Sequence, residues 1–440
     1  MRNGAASSLI AITLIALGLR LAWIANTDSE PPVLSDPQFY HATAANIADG
    51  RGYSVRVDDR GFSGGPGSEA TAFWAPGYSA AIAVPYAVFG HDIRWAKLIN
   101  ALAGALACIP VFFIAHSLAP HAVRADAPSG DTAATQRARD AAGLLAAAIV
   151  ALMPSLIFWT PALFSDGVFM LGVATTLALA AHASRDPTMP QLLAVGAALT
   201  ATVFVRSQGV LLLVPVAALV VPRPRPGDAI RALAPAVVVL TAAVVPWAIR
   251  NERALGEPFL ISSNVCYNLR GAHAPYATGT SVPVQDLWDE APGISFKERE
   301  LLFDELGCER AWEYARTHPL RELDLAAKRV GWLLRSDAAP AMRWSETLGA
   351  TPIDHGPRDV LVLIGDVWWY AVLALAAASP LLLPRSRVAW ALWALIAAWI
   401  AMHLVFHGEP RYHVAIVPAL AALAAGSVGE VRVRLRRRAA

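Results

Sequence analysis

The chain has 440 residues, of which 56% are hydrophobic and 16% are charged, and its mean hydropathy is +0.45. Soluble globular domains contain about 45–50% apolar and about 25% charged residues, so the composition excludes an ordinary soluble protein and indicates a polytopic membrane protein. The formal net charge of +2 says little by itself. The three cysteines are too few for a disulfide framework or a cysteine-rich zinc site.

The apolar stretches define the predicted membrane domain. A hydrocarbon core of about 30 Å needs roughly 20 apolar residues per helix. The first stretch, Leu9 to Ile24, has no small-x-small cleavage site after it, so we predict a retained span rather than a signal peptide. Applied along the chain, the length criterion gives candidate spans at 8–25, 94–117, 141–159, 162–182, 190–205, 208–222, 232–249, 362–383, 388–406 and 412–428.

Arginine is distributed unevenly between the two sides of these spans. One side carries Arg2, Arg124, Arg137, Arg139, Arg185, Arg223, Arg225, Arg231, Arg385, Arg387 and the tail Val431 to Arg438, whereas the short loops of the other carry only Arg206 and Arg411. Because cytoplasmic loops are enriched in Lys and Arg, we predict both termini inside. We interpret the basic tail as a topological anchor near anionic lipids rather than a nucleic-acid site.

This orientation divides the chain into three parts. Residues 1–249 form the first part of a membrane domain with an outer loop at 26–93, residues 250–358 form a second long outer segment, and residues 359–440 complete the membrane domain and its basic tail. We therefore predict an all-α polytopic membrane protein of about ten transmembrane helices, with two long periplasmic segments.

An acidic residue follows the first span directly. Asp36 and Pro37 begin a predicted helix, Pro37 to Asp49, which Gly50 and Gly52 end. A carboxylate at the membrane surface could act as a general base, and the same Asp-Pro pair is also a good helix start with the aspartate as N-cap. Asp166 lies at the outer start of the span 162–182 and has the same two interpretations.

Several short motifs occur in an order that resembles a known family. They are Ser35-Asp36-Pro37-Gln38-Phe39-Tyr40, Ala75-Pro76-Gly77-Tyr78, Phe164-Ser165-Asp166, Pro246-Trp247-Ala248-Ile249-Arg250-Asn251, and Arg411-Tyr412 with Pro418. The set resembles the polyprenyl-phosphate-dependent membrane glycosyltransferases of the GT-C fold, in particular the bacterial members akin to glycosyltransferase family 39 and the lipid A aminoarabinose transferases. The resemblance covers nearly the whole chain.

The resemblance implies a GT-C-like fold and an inverting transfer of a sugar from a polyprenyl-phosphate donor to an acceptor hydroxyl on a lipid, glycan or protein. It implies a multi-pass protein of the bacterial inner membrane with its active site facing the periplasm. Asp36 is the candidate base and Asp166 the second catalytic candidate. We expect Tyr40, Trp74, Tyr78 and Tyr412 to line the donor or acceptor pocket, with no cofactor, no bound metal and no nucleic-acid partner.

A departing phosphate needs fixed cations. In the aminoarabinose transferases a lysine meets the lipid phosphate, and it has no counterpart at Phe73-Trp74-Ala75-Pro76 here, which argues against aminoarabinose as the sugar. Arg206, Arg250 and Arg411 are the candidates for the phosphate, because all three are outside by the predicted topology. The alternative is that each extends to the lipid headgroups.

Two further groups leave alternatives open. His403, His407, Glu409 and His413 cluster at one helix end and could share a metal, although interfacial histidines without a ligand are commoner. Cys266 and Cys308 could pair in an oxidising periplasm. At the level of function, a transporter or flippase of lipid-linked sugars would place ionisable groups near the bilayer midplane, and a non-catalytic polysaccharide-assembly protein would lack a key acid after the first span.

Overall fold

The computed structural model describes residues 3–25, 27, 30–118, 132–184, 187–221, 225–348 and 354–439. In chain order the α-helices of these residues are α1 (Asn3–Ile24), α2 (Asp36–Ala48), α3 (Gly77–Phe89), α4 (Ile93–Leu106), α5 (Cys108–Ser117), α6 (Thr132–Leu152), α7 (Pro154–Phe158), α8 (Asp166–Ala183), α9 (Met189–Val205), α10 (Leu213–Val220), α11 (Pro226–Leu255), α12 (Val265–Ala272), α13 (Gln285–Trp288), α14 (Phe296–Thr317), α15 (Pro319–Leu333), α16 (Ala338–Thr347), α17 (His355–Ala377), α18 (Ser379–Leu382), α19 (Arg387–Val405) and α20 (Val417–Ala439). Two 3₁₀ segments, Ser207–Leu212 and Pro410–Ile416, precede α10 and α20.

The protein is a multi-pass membrane protein. Within the described ranges, seven helical stretches are long and apolar enough to cross a membrane: Asn3–Ile24, Ile93–Ser117, Asp166–Ala183, Pro226–Leu255, Gly356–Ala377, Arg387–Val405 and Pro410–Leu435. They coincide with seven of the predicted spans. The other three, at 141–159, 190–205 and 208–222, are helical too, as α6, α9 and the segment that ends in α10. The latter two are shorter than a full span, and α6 begins with polar residues.

A small antiparallel sheet lies within residues 26–93, the segment predicted to form the first outer loop. Its strands are β1 (Ser54–Asp58), β2 (Gly61–Ser63) and β3 (Glu69–Ala70), in the order β2-β1-β3. Gly61 has a φ of +85°, and a Cβ there would lie 2.5 Å from Gln38 Oε1. The same oxygen accepts hydrogen bonds from the backbone N–H of Phe62 (3.0 Å) and of Leu34 (2.7 Å). The sheet is thereby fixed to α2.

Buried polar contacts join residues 26–93 to residues 250–358. Glu300 of α14 is fully buried and accepts hydrogen bonds from Thr71 Oγ1 (2.7 Å), the Ala72 backbone N–H (2.8 Å) and Ser263 Oγ (2.7 Å). Satisfied buried networks of this kind hold chain segments in one arrangement. They fix the loop that carries Trp74 beside the loop that begins α12.

A disulfide also fixes α12. Cys266 and Cys308, whose pairing the sequence left open, are joined by a bond of 1.98 Å that links α12 to α14. Disulfides form and persist in oxidising compartments. The third cysteine, Cys108, is free and buried in the membrane domain.

Candidate active site

A cavity of about 350 Å³ lies where α2, the two 3₁₀ segments, α12 and the end of α19 meet. Its apolar lining includes the rings of Trp74 and Trp399. Its polar lining consists of Asp36, Tyr40, Arg206, Ser207, Gln208, Ser262, Asn264, Asn268, His403, His407, Arg411 and Tyr412. Residues from 26–93, from 250–358 and from the membrane helices thus contribute to one space.

Asp36 is the carboxylate that lines this cavity. It is the first residue of α2, and the N-cap is Ser35, whose Oγ accepts a hydrogen bond from the Gln38 backbone N–H at 3.3 Å. The sequence left open that Asp36 is the N-cap of this helix. The structure corrects this, because Ser35 has the extended backbone conformation that a cap requires. The Asp36 side chain keeps 35% of its surface accessible.

The environment of Asp36 favours proton uptake. Enclosure by the protein raises the pKa of its carboxyl group above the usual value, and the charges of Arg411 and Arg206 oppose this only in part. Desolvation disfavours the charged form of an acid. A carboxylate of raised pKa is a better proton acceptor than an ordinary aspartate, which suits a general base.

Asp166 forms an ion pair with Arg206. It begins α8 after Ser165 at the cap position, and its two oxygens lie 3.0 and 3.1 Å from the terminal nitrogens of Arg206. Arg206 Nε donates to Ser165 Oγ at 2.8 Å. This bidentate pair is nearly buried, with 15% and 8% of the two side chains exposed. Asp166 therefore orients Arg206, which presents its charge to the cavity.

Arg411 is held more loosely. Its guanidinium lies 3.6 Å from the centre of the Phe164 ring, its Nη2 lies 3.8 Å from Asp36 and its Nε 3.8 Å from Asp166. The Nε and Nη1 atoms are buried and have no hydrogen-bond partner among the described residues. Buried donors are normally paired, so Arg411 has capacity to bind an anionic group that enters the cavity.

Three of the predicted site residues do not line the cavity: Asp166, which pairs with Arg206, and the more distant Arg250 and Tyr78. The Arg250 guanidinium donates hydrogen bonds to the carbonyls of Thr71 (2.8 Å) and Tyr53 (2.6 Å) and packs against Trp247. Tyr78 is fully buried, and its hydroxyl donates to Asn100 Oδ1 at 2.9 Å. Neither residue lines the 350 Å³ cavity.

The other predicted aromatic residues do line it. Tyr40, Trp74 and Tyr412 come from three separate elements and form part of its wall. The Tyr40 hydroxyl lies 3.5 Å from Ser165 Oγ, so it reaches the same polar cluster as Arg206. Aromatic side chains are typical of the walls of ligand pockets.

The histidine cluster does not assemble as one site. His413 stacks on Trp369 with 3.6 Å between ring centres, and its Nε2 lies 3.3 Å from the buried Asp337. Glu409 accepts a hydrogen bond from Thr280. Across the described part of the chain, no group of three or more His, Cys, Asp or Glu side chains could hold a metal ion.

The structure adds residues that the sequence did not mark. Asn264 and Asn268 lie in a loop and a short helix far along the chain from Asp36, yet both line the cavity. The only sequence signal was the richness of residues 262–284 in Asn, Gly, Pro and Thr, which does not single them out. Ser165 was part of a quoted motif, and its role beside Arg206 depends on a contact across 41 residues.

Comparison with known proteins gives a fold. No protein-family model matches the sequence, and no curated protein matches it either. Among solved structures, the chain is similar to the archaeal oligosaccharyltransferase AglB from Archaeoglobus fulgidus, in complex with an inhibitory peptide and a dolichol-phosphate. The TM-score is 0.51 and the identity 14%, and the match covers 99% of this chain and 51% of AglB.

Two structures of ArnT from Cupriavidus metallidurans are also similar. The form bound to undecaprenyl phosphate gives a TM-score of 0.40 and 16% identity, with 98% of this chain and 78% of ArnT covered. The apo form gives 0.38 and 16%, with 97% and 78% covered. The chain spans about half the length of AglB. The likeness to AglB confirms the predicted GT-C-like fold, and at this identity it carries no more than the fold.

Proposed function

We propose that the protein is a membrane glycosyltransferase that moves a sugar from a polyprenyl-phosphate donor to an acceptor hydroxyl. The observation that carries this proposal is the pairing of Asp36, a carboxylate of raised pKa, with Arg411, a cation with unpaired donors, 3.8 Å apart on one cavity. Such a pair supplies a proton acceptor and an anion-binding group at the same place. The GT-C-like fold is in keeping with this chemistry.

The reaction would be a single displacement at the anomeric carbon. The acceptor oxygen forms the new bond to this carbon while the bond from the carbon to the phosphate oxygen breaks, and the electron pair of that bond leaves with the polyprenyl phosphate. The proton of the acceptor hydroxyl passes to Asp36. A displacement of this kind inverts the anomeric configuration.

Arg411 would bind the departing phosphate. Its free Nε–H and Nη1–H donors could stabilise the charge that develops on the leaving oxygen. Arg206 has all three nitrogens engaged by Asp166 and Ser165, so its part would be to add positive potential and to hold the wall in place. The two arginines thus replace the lysine that is missing at residues 73–76.

We place the reaction on the periplasmic side of a bacterial inner membrane. The arginine distribution supports this side, because residues 26–93 and 250–358 fall opposite the basic loops. The Cys266–Cys308 disulfide belongs to the same outer segment that contributes Asn264 and Asn268 to the cavity. An oxidising compartment favours that bond.

A deletion strain tests the proposal and would identify the donor. Without the transferase, its polyprenyl-phosphate sugar is expected to accumulate in the lipid extract, as measured by mass spectrometry. Re-expression of the wild-type chain should remove the excess, and the Asp36→Asn chain should not. The proposal would be contradicted if the deletion strain had the same profile of lipid-linked sugars as cells that express the wild-type protein under the same conditions.

A further inference from the structure

One polar part of the cavity wall has no role in the mechanism above. His403 and His407 lie four residues apart at the end of α19, and both line the cavity. Their exposed fractions are 3% and 6%. The His403 ring stacks on Tyr412, with 5.5 Å between ring centres and 19° between the planes. A buried polar ring in a cavity wall calls for an explanation.

The contacts of His403 decide which nitrogen carries its proton. His403 Nδ1 lies 2.9 Å from the backbone carbonyl oxygen of His407. A carbonyl only accepts, so Nδ1 must carry the hydrogen and donate it. The neutral ring then has an unprotonated Nε2 with a free lone pair. That Nε2 is buried and has no hydrogen-bond partner among the described residues.

His407 holds this arrangement in place. Its carbonyl fixes the tautomer of His403, and its ring Nε2 lies 3.2 Å from the Tyr412 hydroxyl. Burial, followed by nearby positive charge, lowers the pKa of His407 to about 3, so the ring is neutral at physiological pH. The segment from 403 to 412 therefore forms one connected polar wall. Two of its ring nitrogens, His403 Nε2 and His407 Nδ1, are buried without a hydrogen-bond partner among the described residues, and the tautomer of His403 makes its Nε2 an acceptor.

We propose that His403 is the residue that binds a hydroxyl group of the donor sugar, with His407 as its positioning residue. This inference rests on the proposed function and names a contact that it leaves open. A hydroxyl can donate its hydrogen to a free lone pair. The phosphate oxygens of a polyprenyl-phosphate diester carry no hydrogen, so they cannot donate a hydrogen bond to the lone pair of Nε2.

The position of the phosphate leads to the same assignment. The phosphate would bind at Arg411, and the sugar is bonded to it directly, so the sugar would occupy the adjoining space that His403 lines. A metal ion is the other ligand of an imidazole lone pair, but the described residues offer no third ligand nearby. A neutral hydroxyl thus fits the free acceptor best.

Binding measurements on the full chain in nanodiscs can test this. The probes are a short-chain polyprenyl phosphate without sugar and the same lipid carrying glucose, mannose or galactose. His403→Phe keeps an aromatic ring on Tyr412 and removes the lone pair, and His403→Gln supplies an amide oxygen as an acceptor. His182→Phe is the matched control, because His182 is exposed and lies at the end of α8 opposite Asp166.

We expect His403→Phe to bind the sugar-free lipid like the wild type and to bind the preferred sugar-bearing lipid about five- to tenfold more weakly. His403→Gln should recover part of that loss, and His182→Phe should show none. Equal affinity of His403→Phe and wild type for every sugar-bearing lipid would overturn the inference and leave the proposed function standing. So would an equal loss for both kinds of lipid, or wild-type binding that is abolished by EDTA and restored by zinc. If the wild type bound none of these lipids, the proposed function would fall with it.

Discussion

Replacing Asp36 with asparagine is expected to lower the rate of sugar transfer by about 10²–10⁴-fold while the protein stays folded. The amide cannot accept a proton from the attacking hydroxyl. Folding should be little affected, because Ser35 provides the cap of α2 and the Asp36 side chain has no cap role. The measurement is transfer per mole of folded protein, with folding checked by thermal unfolding.

Asp49→Asn gives the matched control for that experiment. It makes the same substitution just after the other end of α2, where Asp49 pairs with Arg51 and His91 at the surface. Near wild-type activity is expected from it. Full activity of the Asp36→Asn protein would remove Asp36 from the mechanism and would leave Asp166 as the candidate base.

The pH dependence of transfer should separate these two acids further. Because enclosure raises the pKa of Asp36, the base is protonated and inactive at low pH, and the rate should rise as the pH passes through a value above that of an ordinary aspartate. The Asp36→Asn protein should lose this rise from its residual activity. If the Asp36→Asn protein still showed this rise in rate with pH, the titrating group would be a residue other than Asp36.

The second large effect is expected at Arg411. Arg411→Ala should lower kcat/KM by about 10²–10³-fold, because the leaving phosphate loses its free donors. Arg411→Lys should retain part of the activity, since lysine supplies a point charge but has no planar fork to lie on Phe164. Steady-state transfer with a lipid-linked donor measures both.

Arg250→Ala provides the contrast. It removes the guanidinium that donates to the Thr71 and Tyr53 carbonyls, which is expected to cost about 1–3 kcal/mol of stability. The Arg250→Ala protein should therefore unfold at a lower temperature and keep its rate per folded molecule. If instead it lost transfer as Arg411→Ala should, with unchanged stability, the phosphate would bind near Arg250 and our assignment of Arg411 would be wrong.

The membrane-length helices could be predicted because their signal is local. A run of about 20 apolar residues is sufficient, and seven predicted spans coincide with helices of that kind. The small sheet could not be predicted, because β2 and β3 have only three and two residues. The position of β2 depends on contacts with α2, such as the hydrogen bond from the Phe62 backbone N–H to Gln38.

Residues of the candidate site could be predicted where a charged side chain lies at the end of an apolar helix. Asp36, Arg206 and Arg411 are charged residues at helix ends, and the structure brings all three to one cavity. Arg250 is also a charged residue near a helix end, but it does not line the cavity. Its partners are backbone carbonyls, which no sequence pattern reveals. The acceptor at His403 depends on a tautomer that a helix-end carbonyl fixes.

Transfer by the purified protein in nanodiscs, with two donors compared, tests the central claim most directly. We expect sugar transfer from the polyprenyl-phosphate sugar, with one polyprenyl phosphate released per sugar transferred and with inversion at the anomeric carbon. Nucleotide sugars should give none without a lipid carrier. Transfer from a nucleotide sugar in the absence of any lipid carrier would contradict the account.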